Sequence, residues 1–159
     1  MATIDSEESD EDVPLVDLLA ESSIRLDAHA SGRDDAIKQA GTALVEAGAV
    51  DPSYIDVMIQ RENSVSTYVG EGVAIPHGTL AGKDAVKHDA IVVLRFPDGV
   101  DWDGNDVRVA VGIAARGNGH IALLSQLATV LLDAGKAAGL RGATTPQQVY
   151  DILASEGDE

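Results

Sequence analysis

Apolar and polar residues follow two different spacings along this chain. In several segments the apolar residues recur every three to four positions, which is the spacing of one face of an α-helix. These segments predict helices at residues 14–19, 31–48, 52–62, 118–132, 133–140 and 145–153. In other segments apolar residues alternate with polar ones or form short continuous runs, which is typical of strands. These segments predict strands at residues 23–27, 73–75, 90–96 and 107–115.

Residues that start or stop regular structure lie at several of these boundaries. Gly48 follows the helical stripe of 31–48 as a C-terminal cap. Pro97 is expected to end the strand at 90–96, because proline has no N–H for a sheet. Thr145 and Gln148 have the spacing of a capping box at the last helix. The predicted inner face of the helix at 52–62 consists of Ile55, Met58 and Ile59. The predicted inner face of the helix at 118–132 consists of Ile121, Leu124, Leu127, Ala128, Leu131 and Leu132.

The order of these segments predicts the fold class. Helical patterns that alternate with short apolar strands indicate an α/β domain built on an open sheet. The length of 159 residues suits one domain, and we find no internal repeat. Residues 1–12 are rich in Asp and Glu, so we expect an acidic disordered tail before a domain at 13–155.

The charge of the chain restricts its partners. Asp and Glu number 27 against 11 Lys and Arg, which gives a formal net charge of −16. This charge argues against nucleic acid and anionic membranes as partners. We interpret it as adaptation to a salty, halophilic cytoplasm, where salt screens repulsion between surface carboxylates. The alternative is an ordinary acidic cytosolic protein.

Three further absences in the sequence bear on location and chemistry. No apolar run is long enough to span a membrane, so no direct membrane insertion is expected. The acidic N-terminus does not resemble a secretory signal. There are no cysteines, so disulfides and thiolate chemistry are excluded. We therefore expect a cytoplasmic protein.

The most informative stretch is residues 67–79, Thr-Tyr-Val-Gly-Glu-Gly-Val-Ala-Ile-Pro-His-Gly-Thr. Pro76 favours an extended backbone at Ile75, and Gly78 adds no side chain after His77. The sequence thus presents His77 at a strand end with little crowding. A neutral imidazole nitrogen carries a lone pair and can act as a nucleophile.

This stretch resembles the phosphorylation-site segment of enzyme IIA domains of the fructose/mannitol type, which belong to the phosphoenolpyruvate-dependent sugar phosphotransferase system. The similarity spans roughly residues 20–155 and includes Arg61-Glu62 and the run Gly-Ile-Ala-Ala-Arg at 112–116, followed by His120. The resemblance implies a central mixed sheet with helices on both faces. It also implies that His77 carries the phosphoryl group on Nε2, with Nδ1 bound to an acceptor that the sequence does not identify.

Partners and chemistry also follow from the resemblance. It implies a phosphotransferase with a phosphohistidine intermediate, which accepts the group from the phosphocarrier protein HPr. The group passes to an enzyme IIB domain of a fructose or mannitol transporter. No metal and no organic cofactor are needed within the chain.

Other residues are candidates for contacts at the same site. Arg61, near a helix end, either binds the phosphate or complements the helix dipole. Thr67 offers a hydroxyl and Glu71 a carboxylate, with strand packing and a solvated turn as the alternatives. Asn118 is a candidate cap for the long helix, which places His120 in a first turn whose amides favour anions. By its match to the family, His120 is a second catalytic candidate.

Three rival interpretations remain open. A regulatory phosphoprotein of the nitrogen-related branch would use the same histidine but bind target proteins in a phosphorylation-dependent way. A metal site would combine His77, His88 and His120, perhaps joined by His29, although these spacings match no common zinc pattern. The third is a purely structural module, which the motif disfavours.

Overall fold

A computed structural model describes residues 15–78, 84–115 and 119–154, with the backbone alone for Leu15 and for 119–123. A 3-10 turn at Leu15–Leu18 precedes the first strand. The strands are β1 (Leu19–Arg25), β2 (Tyr68–Gly70), β3 (Val73–Ala74), β4 (Ala90–Trp102) and β5 (Asn105–Ala114). The helices are α1 (Arg33–Glu46), α2 (Tyr54–Ser64), α3 (Gly119–Leu131), α4 (Ala134–Arg141) and α5 (Pro146–Ala154). The predicted acidic tail at 1–12 lies outside the described residues.

The five strands form one mixed sheet in the order β1-β4-β5-β3-β2. The central hairpin of β4 and β5 is antiparallel, while β1 is parallel to β4 and β3 is parallel to β5. β2 pairs antiparallel to β3 and forms the edge next to the tight turn at Glu71 and Gly72. Neither β2 nor this pairing was predicted, because three residues carry too little pattern to be recognised.

Successive residues of the central strands pack into two separate hydrophobic cores, one on each face of the sheet. Val92 and Leu94 of β4 pack with α1 and α2, whereas Ile91 and Val93 pack on the other face with α3, α4 and α5. Strand side chains alternate between faces, so a continuous apolar run is buried on both sides. The predicted α/β domain, with a mixed sheet flanked by helices on both faces, is confirmed.

Two predicted elements near the sheet differ from the structure. Residues 15–18 form a 3-10 turn rather than a longer helix, and β1 begins directly after it at Leu19. Pro97 does not end β4. The strand continues to Trp102, and its register with β5 shifts between Arg95 and Val100. Such an irregularity tolerates a proline, because the missing N–H is not needed by the partner strand.

Two predicted helix faces are also partly wrong. The fully buried positions of α2 are Tyr54, Met58 and Glu62. Ile55 and Ile59 are partly buried, and Ile59 packs against the core as predicted. Leu132 follows the end of α3 and is 86% exposed. Ala128 is exposed as well, and Val130 is buried in its place. Among the described residues, no helix has both the length and the apolar character needed to cross a lipid bilayer.

Candidate active site

His77 lies where the chain leaves β3 and runs beside β5. It forms a parallel bridge with Ile113, and the Ile113 amide donates to the Pro76 carbonyl at 3.0 Å. Pro76 lacks a donor, but the sheet uses only its carbonyl at this position. The pairing with β5 therefore fixes the position of the His77 backbone. The residue is only 7% exposed.

One ring nitrogen of His77 is bound by the backbone. Its Nδ1 lies 2.8 Å from the carbonyl oxygen of Ile75. A carbonyl oxygen can only accept, so Nδ1 must carry the proton in this contact. In the neutral ring Nε2 then holds the lone pair, which makes Nε2 the nucleophilic atom. Ile75 supplies the acceptor that the sequence did not identify.

The surroundings of His77 favour the neutral ring. Burial lowers its pKa below the usual 6.5, the hydrogen bond to Ile75 opposes this shift, the charge of Arg61 lowers the pKa further, and Glu62 raises it. Because burial dominates, the imidazole is neutral at pH 7. A neutral imidazole is the form that can attack phosphorus.

Tyr54 of α2 connects the residue that follows His77 to the neighbouring strand β5. Its hydroxyl donates to the Ile113 carbonyl at 3.0 Å and accepts from the Gly78 amide at 2.9 Å. Burial raises the pKa of Tyr54 to about 12, so the hydroxyl keeps its proton. A Cβ at Gly78 would lie 2.6 Å from the Tyr54 ring, so only glycine allows this approach. Tyr54 and Gly78 thereby set the position of the backbone that follows His77.

Glu62 is a buried carboxylate beneath the site. Its two oxygens accept from the Thr67 amide at 2.7 Å, the Thr67 hydroxyl at 2.6 Å and the Trp102 indole N–H at 2.8 Å. The residue is 2% exposed, so these three donors replace the water that the carboxylate has lost. Glu62 therefore ties the end of α2 to the start of β2 and to the end of β4.

Arg61 is a cation whose charge acts on His77. Its charge is close enough to lower the pKa of the His77 ring. One Nη atom donates to the Val65 carbonyl at 2.7 Å, which folds the side chain back over the C-terminal end of α2. The guanidinium has five N–H donors in total, and one of these is used here. Arg61 therefore lies near enough to His77 for its charge to act on the ring, and its guanidinium has N–H donors beyond the one bound to Val65.

The other predicted site residues are placed differently. The Thr67 hydroxyl already donates to Glu62, so it is not a donor for a phosphate at His77. Glu71 lies in the turn before β3, whereas His77 follows β3, and the Glu71 carbonyl accepts from Arg141 at 2.5 Å. The structure does not bring Glu71 to His77. The backbone of His120 is in the first turn of α3 as predicted, but its side chain and Asn118 lie outside the described residues.

The remaining histidines are not gathered around His77. His29 lies between Asp27 and Asp98 at the surface, and His88 contacts the backbone of Asp89. Within the described ranges 15–78, 84–115 and 119–154, no group of three His, Cys, Asp or Glu residues is arranged to hold a metal ion.

Sequence reasoning did not assign Tyr54 or Glu62 a role. The tyrosine at the start of a helix and the glutamate beside an arginine are both common at a protein surface. Their burial depends on residues distant in sequence, namely Ile113 for Tyr54 and Trp102 for Glu62. One sequence signal for Glu62 existed, since positions 54, 58 and 62 lie on one helical face with Met58 in the middle.

The chain that carries this buried histidine on a five-stranded mixed sheet is similar to known proteins in sequence and in fold. Residues 17–156 match the family described as the phosphoenolpyruvate-dependent sugar phosphotransferase system, EIIA 2. The chain is 43% identical over 136 residues to a mannitol-specific phosphotransferase enzyme IIA component from Halalkalibacterium halodurans, with 86% of this chain and 94% of that protein covered.

Solved structures agree with the family match. The crystal structure of IIA mannitol from Escherichia coli gives a TM-score of 0.79 at 36% identity, with 85% of this chain and 98% of that chain covered. A complex of enzyme IIA mannitol with phosphorylated enzyme IIB mannitol from Escherichia coli gives a TM-score of 0.81 at 34% identity, covering 87% and 99%. The chain therefore belongs to the type 2 enzyme IIA family of the sugar phosphotransferase system, and it is a phosphoryl carrier. The predicted family is confirmed.

Proposed function

We propose that His77 Nε2 accepts a phosphoryl group from HPr and passes it to the IIB domain of a mannitol-class transporter in the cytoplasm. The observation that carries this proposal is the Nδ1 contact with the Ile75 carbonyl, because it leaves the lone pair on Nε2. The names of the relatives favour mannitol over fructose as the transported sugar.

The transfer needs no proton from this chain. The Nε2 lone pair attacks phosphorus in line, the new N–P bond forms, and the bond from phosphorus to the carrier atom of HPr breaks. The carrier group of HPr leaves with the electron pair of that bond. Passage to IIB repeats this step with His77 as the leaving group. Such a reaction depends on positioning and on stabilising charge at the phosphoryl oxygens.

Positive charge at the site matters because the chain carries a net charge of −16. Arg61 is the proposed phosphate ligand, since its charge already acts on the His77 ring. We also propose His120 as a donor, on the strength of its place in the first turn of α3 and its match to the family. Thr67 and Glu71 have no part in this proposal, because Glu62 and Arg141 bind them.

The proposal is tested by phosphorylation with phosphoenolpyruvate, enzyme I and HPr. The chain should gain one phosphoryl group that is labile in acid and stable in base, and His77→Ala should abolish it. His88→Ala is the matched control, because His88 is exposed and outside the site. Undiminished labelling of His77→Ala would refute the assignment.

A second measurement separates transport from regulation. The phosphorylated chain should lose its label to a mannitol-type IIB domain faster than to a fructose-type IIB domain. Negligible transfer to any IIB domain, together with phosphorylation-dependent binding to a regulatory protein, would instead support the regulatory branch of the family.

A further inference from the structure

An open cavity of about 450 Å³ lies at the end of β3 that is opposite His77. It is lined by Glu71, Gly72, Arg95, Pro97, Asp106, Arg108 and Arg141. His77 follows Val73 by four residues along an extended chain, so roughly 13 Å separates it from the cavity end of β3. The cavity is therefore distinct from the site at His77.

Three arginines meet in this cavity, although the whole chain has only 11 basic residues. Arg95 and Arg108 come from the neighbouring strands β4 and β5, and Arg141 comes from the last residue of α4. Two carboxylates, Glu71 and Asp106, face them, so the lining keeps one net positive charge. Positive charge concentrated on a strongly acidic protein points to an anionic ligand.

Arg95 is the least neutralised of the three arginines. Its Nη1 donates to the Arg141 carbonyl at 3.3 Å, which is a long hydrogen bond. Its Nε is buried and has no hydrogen-bond partner among the described residues. No carboxylate in the described part of the chain forms an ion pair with Arg95. The guanidinium keeps three further N–H donors on Nη1 and Nη2 that no described residue accepts, and these can bind an anionic ligand.

The other two arginines are held in place without being fully used. Arg108 donates from Nε to Asp106 at 2.9 Å and from Nη1 to the Pro97 carbonyl at 2.7 Å. Arg141 binds the Glu71 carbonyl through Nη1, and the same Nη1 lies 3.7 Å from the Glu71 carboxylate, beyond hydrogen-bonding distance. Each guanidinium has five N–H donors, so both retain donors for a further acceptor.

We propose that this cavity binds a small phosphorylated metabolite, with its dianionic phosphate among Arg95, Arg108 and Arg141. The planar guanidinium matches two phosphate oxygens at once, which makes arginine the preferred side chain for this group. The volume is in the range of small-molecule sites and exceeds what a single phosphate ion would fill.

The test follows the Nε–Hε signals of the arginines by NMR in the full chain. Inorganic phosphate, glycerol 3-phosphate and citrate are added in turn at constant ionic strength. The Arg95 signal should shift and saturate, with glycerol 3-phosphate binding more tightly than inorganic phosphate. The same shift should persist in His77→Ala, which separates this cavity from phosphate binding at the phosphoryl-acceptor site.

Matched variants decide whether Arg95 carries the binding. Arg95→Gln should weaken glycerol 3-phosphate binding about tenfold or more, the loss expected for one charge-assisted hydrogen bond. Arg25→Gln is the control. Arg25 pairs in register with Leu94 on the adjacent strand and projects to the other face of the sheet, where it binds Glu46, so it should change the affinity less than about twofold.

Three results would overturn the proposal. The first is an Arg95 signal that does not saturate at ligand concentrations up to about 20 mM. The second is tighter binding of citrate than of inorganic phosphate or glycerol 3-phosphate. The third is an unchanged affinity for glycerol 3-phosphate in Arg95→Gln. If Arg95→Gln does not fold, Arg108→Gln replaces it, because the Arg108 side chain is 41% exposed and its loss is less disruptive. Phosphorylation of His77 by HPr should proceed in both variants, so failure here leaves the proposed function untouched.

Discussion

The buried carboxylate of Glu62 offers a quantitative test of how the site is supported. In Glu62→Ala the Thr67 amide and the Trp102 indole N–H lose their acceptor while they stay buried. Each unsatisfied buried donor costs about 1–3 kcal/mol. Two such donors give a loss of about 4 kcal/mol in the free energy of unfolding, which corresponds to a Tm lower by about 8–16 °C for a chain of this size.

Glu62→Gln should behave differently because its shape is the same. The amide oxygen can accept from both N–H donors, and the amide NH2 can donate to the Thr67 hydroxyl, which rotates to accept. All three contacts survive, but each of them loses the strength that the negative charge lends. We expect a loss of about 1–2 kcal/mol.

Equilibrium urea unfolding of the wild type and the two variants measures these differences. Glu46→Ala is the matched control, because Glu46 is an exposed carboxylate whose ion pair with Arg25 should contribute less than about 1 kcal/mol. Equal destabilisation by alanine and glutamine would show that the charge, and not the hydrogen-bond count, decides stability. A Glu62→Ala loss no larger than that of Glu46→Ala would refute the reasoning altogether.

Four further predictions concern the site and the surface. The pKa of His77 is lowered in the folded chain, so the unfolded chain takes up a proton first as pH falls below about 6.5. The free energy of unfolding should therefore decrease in this pH range. His77→Ala should remove this part of the pH dependence of stability. Tyr54→Phe removes the hydrogen-bond partner of the Gly78 amide and of the Ile113 carbonyl. Urea unfolding should show a free energy of unfolding lower by about 2 kcal/mol, and an unchanged stability would contradict the bridging role. Single-turnover transfer from HPr should slow by roughly a hundredfold in His120→Ala, with His120→Gln in between, whereas wild-type rates would remove His120 from the site. The net charge of −16 predicts that Tm rises between dilute buffer and about 1 M KCl, where the Debye length is about 3 Å; a maximum in dilute buffer would argue against halophilic adaptation.

Local sequence predicted much of the fold. The apolar stripes correctly predicted α1, α3 and α5. Gly48 adopts the left-handed backbone expected after a helix, with φ of 78°. At the last helix, Thr145 Oγ1 accepts from the Gln148 amide, while the Gln148 side chain reaches the Thr144 amide instead of that of Thr145. These features depend on neighbours within four residues, which is why spacing reveals them.

Features that depend on distant partners could not be predicted in this way. Pro97 stays within β4 because Arg108, eleven residues later, binds its carbonyl at the irregular part of the hairpin. His77 could be singled out by motif, but its burial and its lowered pKa come from β5 and α2. Thr67 looked like a phosphate donor because its residue type alone does not show that Glu62, five residues earlier, accepts from its hydroxyl.

The acceptor of His77 Nδ1 is a backbone carbonyl, and this has a consequence for how such a site changes during evolution. No side-chain substitution can remove the Ile75 carbonyl oxygen. The orientation of the His77 ring is therefore set by the path of the main chain through Pro76. A carbonyl is also uncharged. An aspartate or glutamate in its place would set a negative charge against the incoming phosphoryl group. A lineage can therefore gain surface carboxylates without adding repulsion at the Nδ1 hydrogen bond that orients the nucleophile.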